Sequence, residues 1–251
     1  MFDALFTTTT EYKKLSHALS GKGACALFGL PASGRAQVYA ALCRQLDKPL
    51  CIVTPGEAEA TRFAADLNTL GIPAAVFPAR DYVLRPIEGT AREYEYRRLA
   101  VLGELVGGRL RAVAVPAEAL TQFTTPKEDF CANTRTLHAG DTLLRDDLLA
   151  ALFGAGYTRR AQVDGPGQFS VRGDIVDIFA PDQKMPVRME FWGDEIDTLH
   201  TFDLTTQRRE DAIDKFYLSP AREVLFGKPA DAAEQLRAFL AKQRGKKKTA
   251  M

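Results

Sequence analysis

The chain has 251 residues, a mass of 27.6 kDa and 33 Lys+Arg against 32 Asp+Glu. With 46% hydrophobic and 26% charged residues it has a globular composition, which excludes a disordered or fibrous chain and fits one large or two small domains. No stretch reaches the roughly 18 apolar residues of a membrane span, and the opening MFDALFTTTTEYKK lacks the basic-then-apolar order of a signal peptide, so a cytoplasmic protein without a membrane partner is expected.

In chain order, Ala24–Phe28 (ACALF) is a short apolar run ending at Gly29, the pattern of a buried parallel strand. Val38, Leu42 and Leu46 follow at helical spacing, and LCIVT at 50–54 predicts a second strand. Thr54, Pro55 and Glu57 then read as an N-cap hydroxyl, a first-turn proline and a capping-box carboxylate. Phe63, Leu67 and Leu70 give that helix its apolar stripe, and AAVF at 74–77 predicts a third strand. Thr90 and Glu93 form another capping box, opening a helix with Leu99, Leu102 and Leu105 inward and Gly107-Gly108 as its stop. AVAV at 112–115 completes the set. Strands alternating with helices predict an α/β domain with a parallel sheet over about residues 1–130.

Cys25, Cys43, Cys51 and Cys131 show no CxxC spacing, and the first three lie in apolar segments, so small buried hydrophobes are expected rather than metal ligands or disulfides. The segment from Gly29 to Ala36 (GLPASGRA) has the two glycines of a phosphate-binding loop at the right spacing. Its chemistry is missing. Arg35 stands where a lysine would reach the phosphates, and Ala36, which cannot ligate magnesium, stands where a hydroxyl would. AVAV runs into Pro116 with no acidic pair. Gly29, Gly34, Arg35 and Ala36 therefore read as a degenerate P-loop without catalysis or cofactor, ATP and magnesium included.

After Cys131 the period changes. A helical segment around Leu143–Phe153 ends in Gly154-Ala-Gly156. Next, GQFSVRGDIVDIF at 167–179 alternates, with Phe169, Val171 and Ile175 on one face and Ser170, Arg172 and Asp174 on the other. The alternation breaks at Ile175-Val176, so Gly173 is expected to mark a bend or bulge. Val187, Met189 and Phe191 alternate with Arg188, Glu190 and Trp192 before a Gly193-Asp194 turn and an extended run to Phe202. Short connections predict an antiparallel meander packed on the preceding helix as a small α+β unit. The Arg172-Gly173-Asp174 triplet lies inside this pattern and carries no integrin reading. Arginine and aromatic residues on such a face are candidate protein-docking anchors, namely Arg159, Arg160, Arg172, Phe179 and Trp192.

GQFSVRGDIVDIF, followed by Arg188–Asp197 (RMEFWGDEID) and Thr201-Phe-Asp203, closely resembles the signature shared by UvrB and the N-terminal UvrB-homology module of the bacterial transcription-repair coupling factors (Mfd). The departures at Arg35 and Ala36 favour the coupling-factor module over the ATPase UvrB. So does the dozen or so residues of Pro78–Gly89, too few for UvrB's DNA-probing hairpin. The resemblance implies a RecA-like (P-loop NTPase-type) parallel-sheet domain over 1–130 and an inserted α+β domain with an antiparallel sheet over 131–212. It implies a return to the first domain from 213, near Phe216–Leu218, ending in a basic tail. It further implies that the inserted domain recruits UvrA in nucleotide excision repair, with Arg159, Arg172, Asp174 and Phe179 as partner-binding residues and no catalytic residue or metal.

Intact coupling factors are ATP-dependent DNA translocases that also bind RNA polymerase, through regions for which 251 residues leave no room. In them this module is thought to pack on the C-terminal domain, masking the UvrA surface. Residual nucleotide or DNA binding by a UvrB- or helicase-like protein is the alternative. From Glu234 onward stand six basic residues and one acid, leaving 27 basic and 31 acidic residues before it. The body is therefore acidic and only the tail basic, which fits a protein-binding module better than a nucleic-acid-binding enzyme.

Overall fold

The computed structural model describes residues 7–21, 24–46, 48–80 and 92–225, with Glu234 and Arg237. The chain divides into two compact units, Met1–Phe123 and Thr124–Met251.

In the first unit the order is α1 (Thr10–Ser20), α2 (Ala32–Gln45), β1 (Leu50–Thr54), α3 (Glu57–Thr69), β2 (Ala74–Val76), α4 (Glu93–Val106), β3 (Ala112–Pro116) and α5 (Ala117–Leu120). Thr9 caps α1, its hydroxyl accepting the Tyr12 N–H at 3.2 Å. The sheet is parallel with order β1-β3-β2, and β3 is buried along its whole length. Alternation divides its side chains between two cores. Ala112 and Ala114 pack with Ile52, Phe63 and Leu67, whereas Val113 and Val115 pack with Phe77, Val101 and Leu110. A strand covered on both faces needs an unbroken apolar run, which AVAV supplies. Arg111, just before it, donates to the Cys43 and Leu46 carbonyls at 2.6 and 2.5 Å, satisfying the C-terminal end of α2.

Three expectations fail in this unit. Residues 24–28 form no strand; they are exposed, Phe28 to 88%. Both flanks of β3 are taken by β1 and β2, and apolar character without a ladder partner does not make a strand. Secondly, α3 is capped by Gly56, and the Thr54 hydroxyl instead donates to the Gly56 carbonyl at 2.9 Å. Of the cysteines expected to be buried, Cys43 is, whereas Cys25 and Cys51 here, and Cys131 in the second unit, are exposed. Thr90 and residues 81–89 of the Pro78–Gly89 connection lie outside the described residues, while α4 stops at Gly107-Gly108 as expected, with Gly108 at φ +67°.

The second unit contains α6 (Lys127–Ala132), β4 (Arg135–His138), α7 (Arg145–Gly154), β5 (Thr158–Arg159), β6 (Gln168–Arg172), β7 (Ile175–Phe179), β8 (Val187–Trp192), β9 (Glu195–Phe202), β10 (Arg209–Ala212) and β11 (Lys215–Leu218). Strands β10-β9-β8-β7-β6-β5 form one sheet, antiparallel except for the parallel β5–β6 pair. Leu148 and Leu152 of α7 pack on its inner face among Phe169, Val176, Ile178, Val187, Met189, Phe191, Ile196 and Leu199.

Here the sequence reading is corrected twice. Gly173-Asp174 is not a bulge within one strand but the two-residue turn of a hairpin, with Gly173 at φ +60°. Glycine at the first central position suits a turn that matches strand twist. Because Arg172 pairs with Ile175, Ile175 shares the face of Arg172 rather than that of Phe169 and Val171. Gly193-Asp194 makes a second such hairpin, as expected, with Gly193 at φ +63°. The segment expected to return to the first domain, Phe216–Leu218, lies in β11, which pairs with β4 and so extends the second unit beyond residue 212.

Candidate functional site

The loop at Gly29–Ala36 does not form the expected strand-loop-helix cradle. The preceding run is not a strand, and α2 starts at Ala32, which places Gly34, Arg35 and Ala36 within its first turns. The Arg35 N–H donates to the Pro31 carbonyl at 3.1 Å, and Ala36 is buried. A backbone N–H engaged in the helix ladder is not free to cradle a phosphate.

The second unit brings charge together on the outer face of its six-stranded sheet, away from α7. Register places Ser170, Asp177, Arg188 and His200 side by side across β6 to β9, and Arg172, Ile175, Glu190 and Thr198 form the next row. Asp177 is fully buried and accepts from two arginines. Arg188 grips it with two nitrogens, Nε at 2.7 Å and Nη2 at 3.0 Å, and Arg172 Nη2 reaches its second oxygen at 2.5 Å. This hydrogen bonding to Asp177 is the main cause holding the Arg188 guanidinium above its ordinary pKa, against the opposing effect of burial. Arg188 also lies over the Phe202 ring at 4.7 Å and donates to the Gln207 carbonyl at 3.2 Å, so it is fixed on three sides. Arg172 is different: its side chain is 46% exposed. Asp177 thus presents one guanidinium to solvent while a second stays inside.

The other sequence-chosen residues do not all converge on this spot. Asp174 projects at the hairpin turn, where Arg145 Nη1 ties it back at 3.1 Å and also donates to the Gly173 carbonyl at 2.9 Å. Phe179 shares the outer face with Asp177, two residues away along β7, but is buried there with Val163 and Phe202. Arg159 pairs in register with Phe169 and so shares the inner face, opposite to Arg172. Trp192 stands two residues along β8 from Glu190 on the outer face and is 82% exposed. Asp177, Arg188 and Arg145 were missed as site residues. A buried carboxylate between two arginines shows in sequence only once the hairpin register is known.

Residues 136–224 match the family model of the UvrB interaction domain. Across most of its length the chain is also similar to transcription-repair-coupling factors. It is 28% identical to that of Bacillus subtilis over 84% of this chain, 35% to that of Myxococcus xanthus over 78%, and 38% to that of Mycobacterium tuberculosis over 73%. The chain spans 18%, 17% and 15% of those proteins. The similarity thus has two parts: residues 136–224 match the UvrB interaction domain, and most of the chain is similar to one segment of the transcription-repair-coupling factors.

Proposed function

We propose that this chain is a non-catalytic adaptor that docks UvrA through the outer face of its second unit, in the coupling of transcription to nucleotide excision repair. The observation that carries the reading is the Arg172–Asp177–Arg188 cluster inside the matched domain. A buried carboxylate holds Arg172 half-exposed, and a pre-positioned arginine is a common anchor of protein interfaces. Asp174, at the adjoining turn, belongs to the same surface; Phe179 is buried on the same face with Val163 and Phe202; Arg159 has the weakest claim, since its register sets it on the other face. The first unit is taken as a RecA-like half domain that serves as scaffold, with neither ATP nor magnesium bound. RNA polymerase, DNA and a C-terminal masking domain are partners of the longer proteins in this reading.

Calorimetric titration of UvrA into the chain is expected to give a saturable complex that Arg172→Ala weakens by about tenfold or more. Undiminished binding by a folded Arg172→Ala variant removes that residue from the site. The competing enzyme reading is tested by equilibrium binding of labelled ATP with and without magnesium, where submicromolar magnesium-dependent binding would overturn the adaptor assignment.

A further inference from the structure

Trp192 is the chain's one tryptophan, and burying it would remove a large apolar area from water. Standing at 82% exposure, it satisfies no packing need of its own unit: β8 already sends Val187, Met189 and Phe191 into the core. Alternation fixes it on the outer face. From strand spacing and rise, its Cα lies about 12 Å from that of Arg172, two strands away. Between them, Ile175 is partly exposed and Glu190 is engaged by Arg209 and by the Thr198 hydroxyl at 3.4 Å. Opposite Trp192 in the ladder stands exposed Glu195.

We infer that Trp192 is the apolar anchor of this docking face and enters a pocket on UvrA, with a UvrA carboxylate meeting Arg172 on one side of that pocket. The inference rests on the docking reading above and adds to it the kind of surface the partner must present. Continuity selects this occupant: Trp192, Ile175 and Arg172 form one surface on three consecutive strands. The charge at Arg172 points the same way. Asp177 is already gripped by two nitrogens of Arg188 and takes one from Arg172, so the rest of the Arg172 guanidinium makes no hydrogen bond among the described residues and can fork onto a carboxylate. Glu195 makes the opposite rim negative, so the partner's pocket is acidic only toward Arg172, and the pair of contacts sets an orientation as well as an affinity.

A single tryptophan lets the test read this residue alone. The full chain, labelled with 5-hydroxytryptophan, is excited apart from the ordinary tryptophans of UvrA, and acrylamide quenching is measured with and without saturating UvrA. Calorimetry with Trp192→Ala and Trp192→Phe runs in parallel. The inference predicts that UvrA shields the label and that Trp192→Ala weakens binding about 30-fold, as for an interface anchor, with Trp192→Phe between it and wild type. Circular dichroism is expected to show both variants folded, since the side chain is exposed. Unchanged quenching in a chain saturated with UvrA, or wild-type affinity in Trp192→Ala, overturns the inference while leaving the docking reading intact. No complex with the wild-type chain removes both.

Discussion

Asp177 and Arg172 touch each other, yet their substitutions should differ widely in cost. Asp177→Ala leaves Arg188, whose side chain is 11% exposed, without its carboxylate, and breaking such a pair is expected to cost about 3–5 kcal/mol in urea denaturation. Arg172→Ala removes a half-exposed partner and should cost under about 1 kcal/mol, so its effect on binding can be read without loss of fold. Asp203 gives a pH signature. Its carboxylate accepts from the Thr206 N–H at 2.7 Å, the Thr206 hydroxyl at 2.9 Å and the Thr205 N–H at 3.1 Å, and these bonds, Thr206 first, hold its pKa below the ordinary value. A lowered folded-state pKa stabilises above the unfolded value near 4 and loses that contribution as pH falls through the folded value. The stability difference between wild type and Asp203→Asn is therefore expected at pH 7 and should vanish in acid, as measured by denaturant titration at both. At this scale the alternation placed Arg172 opposite Phe169 and Val171, as β6 does, whereas Asp174, a candidate from the family resemblance, lies in the turn beyond that strand. The sequence hid the role of Asp177, because the same alternation assigned the strand the wrong register after Gly173.

Two hairpins organise the sheet, and both depend on a glycine at positive φ. Replacing Gly173 or Gly193 by Ala puts a side chain into that conformation with nothing else nearby to clash, so each should cost about 1 kcal/mol. Gly156→Ala should cost more. There φ is +86° and an added Cβ would meet Arg222 Cγ and Cβ at 2.2 and 2.8 Å, so thermal unfolding should rank Gly156→Ala as the least stable of the three. Elements with a strong period were legible: β3 as an unbroken apolar run, α4 by its leucines and glycine stop, β8 by strict alternation. The 24–28 run was not, because a strand needs a neighbour to complete its hydrogen bonds and a sequence window contains no neighbour. The hairpin at Gly173 was missed because two short strands with a two-residue turn and one strand with a bulge give similar patterns, and only the face-switch at Ile175-Val176 separates them.

Each of the two units has its own core, and the chemistry worth testing lies in the second. The matched domain, the Asp177 cluster and Trp192 all fall within residues 136–224. The first unit contributes a parallel sheet, and its glycine loop passes into a helix from Ala32. The change from sequence to structure here is one of location. Motif reading distributed the candidates over Arg159–Phe179, and the sheet register gathers part of them, with Trp192, on a single face. Hydrogen–deuterium exchange of the full chain with and without UvrA tests that location most directly. Docking through the outer face predicts new protection on 168–179 and 187–196, with the first unit unchanged; protection confined to the first unit, or none on those strands in a saturated complex, would rule that docking out.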